Sequence, residues 1–280
     1  MNFNIPTELT TKEEIFKYLK DNKSLVMQQK KSAIKRCDAV SYSVPFYEKN
    51  SDYETKEVGA TIDAVNTGFI ALKFVGNTTN LMDSHLDVHI PKLWNKTLSD
   101  NSHFLHLQEH EMDFDKVIHN RMTAYVKTVS WKSLGANYEG STQALFGDSL
   151  APIDRNAFMV EQYRKGYVEN HSVGMRYKNL VTCINSEEKY YIEEKANWDK
   201  YYPMVANKDK ADEQGIFFAV LEAELIEISA VVKGSNSITP TISVTESKEA
   251  VIDTSKNIEP PTKGTQIDFA KLAKEKLFNN

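Results

Sequence analysis

Three segments of the chain carry residue types that could perform hydrolytic chemistry. The first is His106-Leu107-Gln108-Glu109-His110, an H-x-x-E-H pattern. On a helix, His106 and His110 would share one face and could bind zinc, with Glu109 as the general base. The sequence does not indicate the downstream carboxylate that such a site needs as a third ligand. A zinc peptidase is therefore one open interpretation of this segment.

The second segment, Glu169–Tyr177, contains Ser172 in a strand-like alternation. Ser172 and Gly174 would face one side of the strand, while Val173 and Met175 would face the core on the other. The missing side chain at Gly174 would let an extended substrate approach the hydroxyl. A serine attacks a carbonyl only when a general base takes its proton, so a histidine from elsewhere must lie nearby. On this motif alone, a structural serine on a strand is the commoner interpretation.

The third segment, Leu221–Val232, is an apolar strand that carries Glu227 between two isoleucines. A carboxylate in such a strand either faces solvent or has a partner. The alternation places Glu222 and Glu224 on one face, where we expect them to meet solvent. Glu227 lies on the other face, and it is the acid that we expect to be partnered.

The elements around these segments predict an α+β fold with a β-rich core. Thr10 or Thr11 can cap an N-terminal helix that has Glu13 and Glu14 in its first turn. The basic run from 30 to 36 is expected to be the solvated end of that region. Apolar runs broken by turn residues predict the strands: several short ones between Val40 and Phe74, followed by Thr123–Val129, Val168–Tyr177, Leu180–Ile184 and Phe217–Val232. Residues 152–165 favour a helix, whereas 133–151 have poor strand character.

Four regions follow from these patterns. Residues 1–55 form an N-terminal helical extension, and residues 56–236 form the β-rich domain with insertions near 132–165 and 185–216. Residues 237–265 are rich in Ser, Thr and Pro and predict a flexible linker. Residues 266–280 contain a short amphipathic helix, with apolar side chains at Ile267, Phe269, Leu272, Ala273 and Leu277.

Composition excludes several classes of function. The 280 residues carry a net charge of −5, so no basic excess is present to neutralise the phosphates of a nucleic acid. No apolar run is long enough to span a membrane, and the first residues do not resemble a signal peptide. The two cysteines, Cys37 and Cys183, form neither a disulfide framework nor a zinc motif. We expect a soluble, cytosolic protein that binds neither nucleic acid nor membrane.

The three segments, taken in order, resemble one protein family. His110 comes first, Ser172 follows in His-Ser-Val-Gly-Met, and Glu227 follows in Glu-Ile-Ser-Ala-Val ahead of Gly234-Ser235-Asn236. This arrangement resembles the prohead (capsid maturation) serine proteases of tailed phages, which are distant relatives of herpesvirus assemblin. The segments 87–94 and 66–70 also fit, and the resemblance covers roughly residues 60–236. Two features depart from the family: Glu111 follows the histidine where Asp is usual, and Gly-Ser-Asn replaces Pro-Ala-Asn.

The resemblance implies a closed or partly closed β-barrel flanked by helices and a serine endopeptidase. It implies Ser172 as nucleophile, His110 as general base and Glu227 as the orienting acid, with Glu224 as second choice. The sequence does not assign an oxyanion-hole donor; Arg176 and nearby backbone N–H groups are the candidates. No cofactor or metal is required.

The same resemblance implies where the protein works. The substrates would be the scaffold or major capsid protein and the protease itself, with possible self-association, inside the procapsid in the host cytoplasm. Besides the zinc peptidase, a catalytically silent capsid or scaffold assembly protein that retains only the barrel stays open.

Overall fold

The computed structural model of the chain describes residues 5–35 and 68–246, which form helices around one large sheet. The α-helices in these ranges are α1 (Lys12–Asp21), α2 (Lys23–Ser32), α3 (Asn95–Asp100), α4 (Ala157–Arg164), α5 (Ile192–Tyr201) and α6 (Lys208–Gln214). Short 3-10 turns lie at Phe114–Lys116, Lys132–Leu134, Lys189–Tyr191 and Tyr202–Met204. No helix within the described residues is long and apolar enough to span a membrane.

The sheet has nine strands and is mostly antiparallel. The strands are β1 (Ile34–Lys35), β2 (Phe69–Thr78), β3 (Asp87–His89), β4 (Phe104–Gln108), β5 (Val117–Ser130), β6 (Ser141–Pro152), β7 (Asn170–Ile184), β8 (Ile216–Val231) and β9 (Thr241–Glu246). They pair in the order β1-β7-β8-β4-β5-β6-β2-β9, with β3 also paired to β8. Strand β8 is long, and it holds β7 antiparallel on one side and β3 and β4 parallel on the other.

The expected barrel is not closed. At the point where β9 could meet β7, the described residues form only an isolated bridge, between Asn170 and Pro240. Pro240 has no N–H to donate to β7, and its carbonyl accepts instead from the backbone N–H of Val75 in β2. The chain therefore continues along β2, and the sheet stays open. The structure confirms the mixed fold of helices and a β-rich core, in which the strands form one mostly antiparallel sheet.

Strand β6 corrects the prediction of poor strand character at 133–151. Residues 141–152 lie inside the sheet, between β5 and β2. The glycine, serine and asparagine residues of 133–151 misled the prediction, yet Gly147 has a packing role. A Cβ atom there would lie 2.4 Å from the ring of Phe74, so the glycine gives that buried ring its space.

The predicted N-terminal helix is present as α1, followed directly by α2. Thr11 caps α1, and Glu14 completes a capping box with it. Phe16, Leu19 and Val26 join the main hydrophobic core. These two helices therefore pack on the sheet through their apolar sides.

Lys30 corrects the expectation that the basic run is solvated. Its side chain is buried and forms an ion pair with Asp87, also buried. The hydroxyl of Tyr177 donates to the same carboxylate at 2.8 Å, and the Lys30 ammonium lies 3.9 Å from the ring centroid of Phe218. Burying the ammonium and the carboxylate removes both from water, and this cost is offset by their ion pair, by the tyrosine hydroxyl and by the aromatic ring.

The boundary predicted for the linker, residue 237, is wrong because the folded sheet extends beyond it. Ile238 is buried, and β9 pairs with β2 over residues 241–246. Backbone pairing to β2 stabilises a segment whose own side chains are mostly small and polar. The rest of the predicted linker and the predicted helix at 266–280 lie outside the described residues, as does 36–55 of the N-terminal extension.

Candidate active site

The sheet places Ser172 and Glu227 on one face. Ser172 in β7 lies opposite Ser229 in β8, and Gly174 lies opposite Glu227. Directly opposed residues of an antiparallel pair point to the same side, as do residues two apart in one strand. All four residues therefore share one face of the β7–β8 ladder. The alternation predicted the faces within each strand, and the register between the strands brings them together.

His110 reaches this face from a tight turn at the end of β4. Glu109 and His110 both adopt left-handed backbone conformations, with φ of 49° and 61°, which is uncommon for residues other than glycine. Three hydrogen bonds to β8 and its extension hold the turn. The backbone N–H of Glu109 donates to Ala230, its carboxylate accepts from the N–H of Val232, and the N–H of His110 donates to Ser229 Oγ.

His110 and Glu227 form a buried hydrogen-bonded pair. Nδ1 of His110 lies 2.6 Å from Oε1 of Glu227, and both side chains are almost fully buried. The second oxygen, Oε2, accepts from the hydroxyl of Ser229 at 2.6 Å. When Nδ1–H donates to this carboxylate, the lone pair of the ring lies on Nε2, the atom that a general base would use. Ser229 was not predicted, although its position two residues after Glu227 was a usable signal.

Gly174 makes room for the acid. A Cβ atom built at Gly174 would lie 2.0 Å from Oε1 of Glu227, which is well inside a van der Waals contact. The glycine thus allows the carboxylate to lie across β7 and meet His110. The sequence had suggested a different role, clearance for substrate.

Ser172 lies where the backbone at Gly234 comes close to the start of β7. A Cβ at Gly234 would lie 3.0 Å from the carbonyl oxygen of His171 and 3.8 Å from Cβ of Ser172. The chain that follows β8 therefore folds back over the start of β7. This contact brings the Gly-Ser-Asn segment, predicted to follow the last strand, next to the serine.

Glu224 and Arg176 do not join this group. The carboxylate of Glu224 binds Lys178 at 2.7 Å and Arg176 at 3.2 Å on a part-exposed surface. The hydrogen bond from Lys178 lowers the pKa of Glu224. Arg176 lies four residues beyond Ser172, roughly 13 Å along the strand. The structure thus offers Glu227, not Glu224, as the partner of His110, and Arg176 is engaged elsewhere.

The zinc interpretation is wrong in its structural premise. His106 lies in strand β4 and not on a helix, so it does not share a helical face with His110. The two ring nitrogens of His106 contact Ser149 and Tyr163, whereas Nδ1 of His110 contacts Glu227. Among residues 5–35 and 68–246, no group of three His, Cys, Asp or Glu side chains is placed to bind a metal ion.

Comparisons with protein-family models, with curated proteins and with solved structures give no match to this chain. The chemistry of the site therefore follows from its own residues.

Acid is expected to destabilise the fold through His171, which is fully buried beside Ser172. Burial lowers its pKa to about 3. Between about pH 6.5 and 3, the unfolded chain binds a proton here that the folded chain does not. The free energy of unfolding should therefore fall as pH falls, by about 1.4 kcal/mol per pH unit from this residue. Urea unfolding at pH 7, 6 and 5 measures the slope. His171→Asn should make it shallower by one proton, and equal slopes would contradict the assignment.

Proposed function

We propose that the protein is a serine endopeptidase in which Ser172, His110 and Glu227 form the catalytic group. One observation carries the proposal: a buried histidine–carboxylate pair, 2.6 Å apart, lies on the sheet face that also carries Ser172. A buried acid that accepts Nδ1–H of an imidazole is the arrangement that prepares the other ring nitrogen to activate a hydroxyl.

The chemistry follows from these atoms. Nε2 of His110 takes the hydroxyl proton as Ser172 Oγ attacks the peptide carbonyl carbon. The same proton then passes to the leaving amine, the C–N bond breaks, and an acyl-enzyme remains. His110 then takes a proton from water as the water oxygen attacks the ester carbonyl; the bond from that carbon to Ser172 Oγ breaks, His110 returns the proton to Oγ, and the new carboxyl group leaves. Glu227 stabilises the imidazolium in both steps, and Ser229 fixes the orientation of Glu227.

The substrate class is proposed from the order of the motifs. Their succession resembles that of the prohead maturation proteases, so we propose scaffold protein, the major capsid protein extension and the protease itself as substrates within the procapsid. A catalytically silent assembly protein is the outcome that the experiments below must exclude.

Covalent labelling tests the nucleophile. A fluorophosphonate probe should modify the full chain at Ser172, as mapped by mass spectrometry, and the purified protein should cleave a mixed peptide library. A metal chelator should leave both readouts unchanged. An unlabelled, inactive wild-type chain would contradict the proposal, and loss of activity with chelator would point to a metallopeptidase.

Two matched carboxamides test the acid. Glu227→Gln should lower the rate of hydrolysis by about 10³- to 10⁴-fold, because the amide no longer holds His110 in the required tautomer. Glu224→Gln, on the part-exposed surface, should change the rate less than twofold. Peptide hydrolysis at fixed pH, with unfolding curves for both variants, measures this. A strong effect at Glu224 with none at Glu227 would reverse the assignment.

A further inference from the structure

A chain of buried polar side chains runs through the opposite face of the sheet from the proposed catalytic group. It joins five residues in order, and four of them are buried: His119, Ser149, His106, Tyr163 and His171. The contacts along it measure 3.2, 3.1, 3.0 and 2.8 Å. The ring of Phe74 stacks on His171 with centroids 4.1 Å apart and lies 4.6 Å from that of His106.

The end of the chain fixes the direction of its hydrogen bonds. Nδ1 of His171 lies 3.3 Å from the carbonyl oxygen of Thr239, which can only accept. His171 is neutral at pH 7 because burial lowers its pKa to about 3. Its single proton is therefore on Nδ1, and Nε2 must accept from the hydroxyl of Tyr163.

The remaining protons follow from this one. The hydroxyl hydrogen of Tyr163 is donated to His171, so the Tyr163 oxygen can only accept from Nε2–H of His106. Nδ1 of His106 then accepts from the hydroxyl of Ser149, which in turn accepts from Nδ1–H of His119. One carbonyl thus sets the tautomers of three histidines. Each donor along the chain has an acceptor, the condition that makes a buried polar network rigid.

The chain does not conduct protons to the catalytic group. It ends on a backbone carbonyl, which cannot pass a proton on, and Tyr163 is held in its neutral form because burial raises its pKa. The chain instead links the residue before Ser172 to the segment that packs on Ser172. His171 precedes Ser172, and its backbone N–H also donates to the carbonyl of Thr239 at 3.1 Å. The segment that ends at Thr239 contains Gly234, which packs on Ser172.

We propose that Tyr163, His106 and His171 are positioning residues that fix the start of β7, and with it Ser172, against the segment 234–239. This role rests on the proposed function, since it concerns the placement of the nucleophile. It also implies that His106, one of the two histidines of the H-x-x-E-H pattern, helps to position Ser172 through hydrogen bonds of fixed direction.

The first test reads the protons directly. Long-range ¹H–¹⁵N spectra of the full chain at pH 7 should show His171 and His119 protonated at Nδ1 and His106 protonated at Nε2. A His171 ring protonated at Nε2 would overturn the directed chain. This measurement does not depend on enzyme activity, so it stands even if the proposed function fails.

The second test measures the placement of Ser172. Tyr163→Phe removes the central hydroxyl and should lower kcat about tenfold with KM unchanged, because a small displacement of the nucleophile costs rate rather than affinity. The matched control is Tyr177→Phe, which also removes a buried hydroxyl bonded to a histidine, here His89, and to Asp87. It should lower stability but leave kcat unchanged.

The outcomes are separable. An active wild-type chain whose kcat is the same in Tyr163→Phe overturns the positioning role, whereas a wild-type chain that neither cleaves nor labels overturns the proposed function. Should Tyr163→Phe fail to fold, Ser149→Ala replaces it. That change removes the donor to Nδ1 of His106, so it should alter the ¹⁵N shifts of His106 and lower kcat two- to threefold. An unchanged kcat there overturns the role equally.

Discussion

Replacing Ser172 or His110 by alanine is expected to reduce peptide hydrolysis at least about a thousandfold. In the proposed mechanism, the serine has a base only if His110 is present, and the base has no function without the hydroxyl. The double variant should therefore be little slower than either single variant, because the two residues act as one unit. Steady-state hydrolysis of a peptide by all four proteins measures this.

Independent losses that multiply in the double variant would contradict the shared role. Ser229→Ala provides a nearby control. It removes the hydrogen bond to Glu227 and the one that Ser229 Oγ accepts from the N–H of His110, but it leaves the acid, the base and the nucleophile in the chain, so it should cost far less than either alanine change. All variants should be compared at matched fractions of folded protein, determined by urea unfolding.

Gly174→Ala is expected to damage both the site and the fold. The added methyl would occupy the position of the Glu227 carboxylate, since the two would be 2.0 Å apart. Either the carboxylate moves away from His110 or the strands separate. We expect at least a hundredfold loss of hydrolysis and a loss of about 1–3 kcal/mol in the free energy of unfolding, the usual cost of overpacking. Peptide assays and urea unfolding check the two effects.

A second-site change separates this clash from a general effect of alanine in a strand. With Glu227→Ala present, the space that the carboxylate filled is free, and adding Gly174→Ala should no longer lower stability. Such a coupling between contacting residues is what a double-mutant cycle detects. A stability cost that is equal in both backgrounds would show that Gly174 is needed for a reason unrelated to Glu227.

The sequence predicted the strand carrying Ser172 and the partnered state of Glu227 because both depend on a period of two. Alternation alone assigns Ser172 and Glu227 to their faces, and no long-range information is needed. It could not provide the distance between His110 and Glu227, because that depends on a parallel pairing of β4 with β8 and on two left-handed residues in a turn. Neither feature has a signature in the local sequence.

Other predictions failed where the local pattern was ambiguous or was overridden. The H-x-x-E-H pattern suits a helix, but the strand partners of β4 decide its conformation. Glycine and serine in 141–152 looked like a loop, although Gly147 is there to accommodate Phe74. Lys30 looked solvated because its buried partner, Asp87, is 57 residues away in the chain. In each case the deciding contact is distant in sequence.

The buried ion pair of Lys30 bears on the order in which the protein assembles during synthesis. Helices α1 and α2 leave the ribosome first, but at about ten residues each they are marginal on their own in water. Phe218, the ring on which the Lys30 ammonium rests, is made about 190 residues later, roughly ten to forty seconds at usual translation rates. Asp87, the charge partner, is made earlier, but Tyr177 and Phe218, which complete the surroundings of the ion pair, are not, so the ammonium stays hydrated until then. Docking of the first segment is thus deferred until β8 exists, so the N-terminus completes the fold rather than starting it.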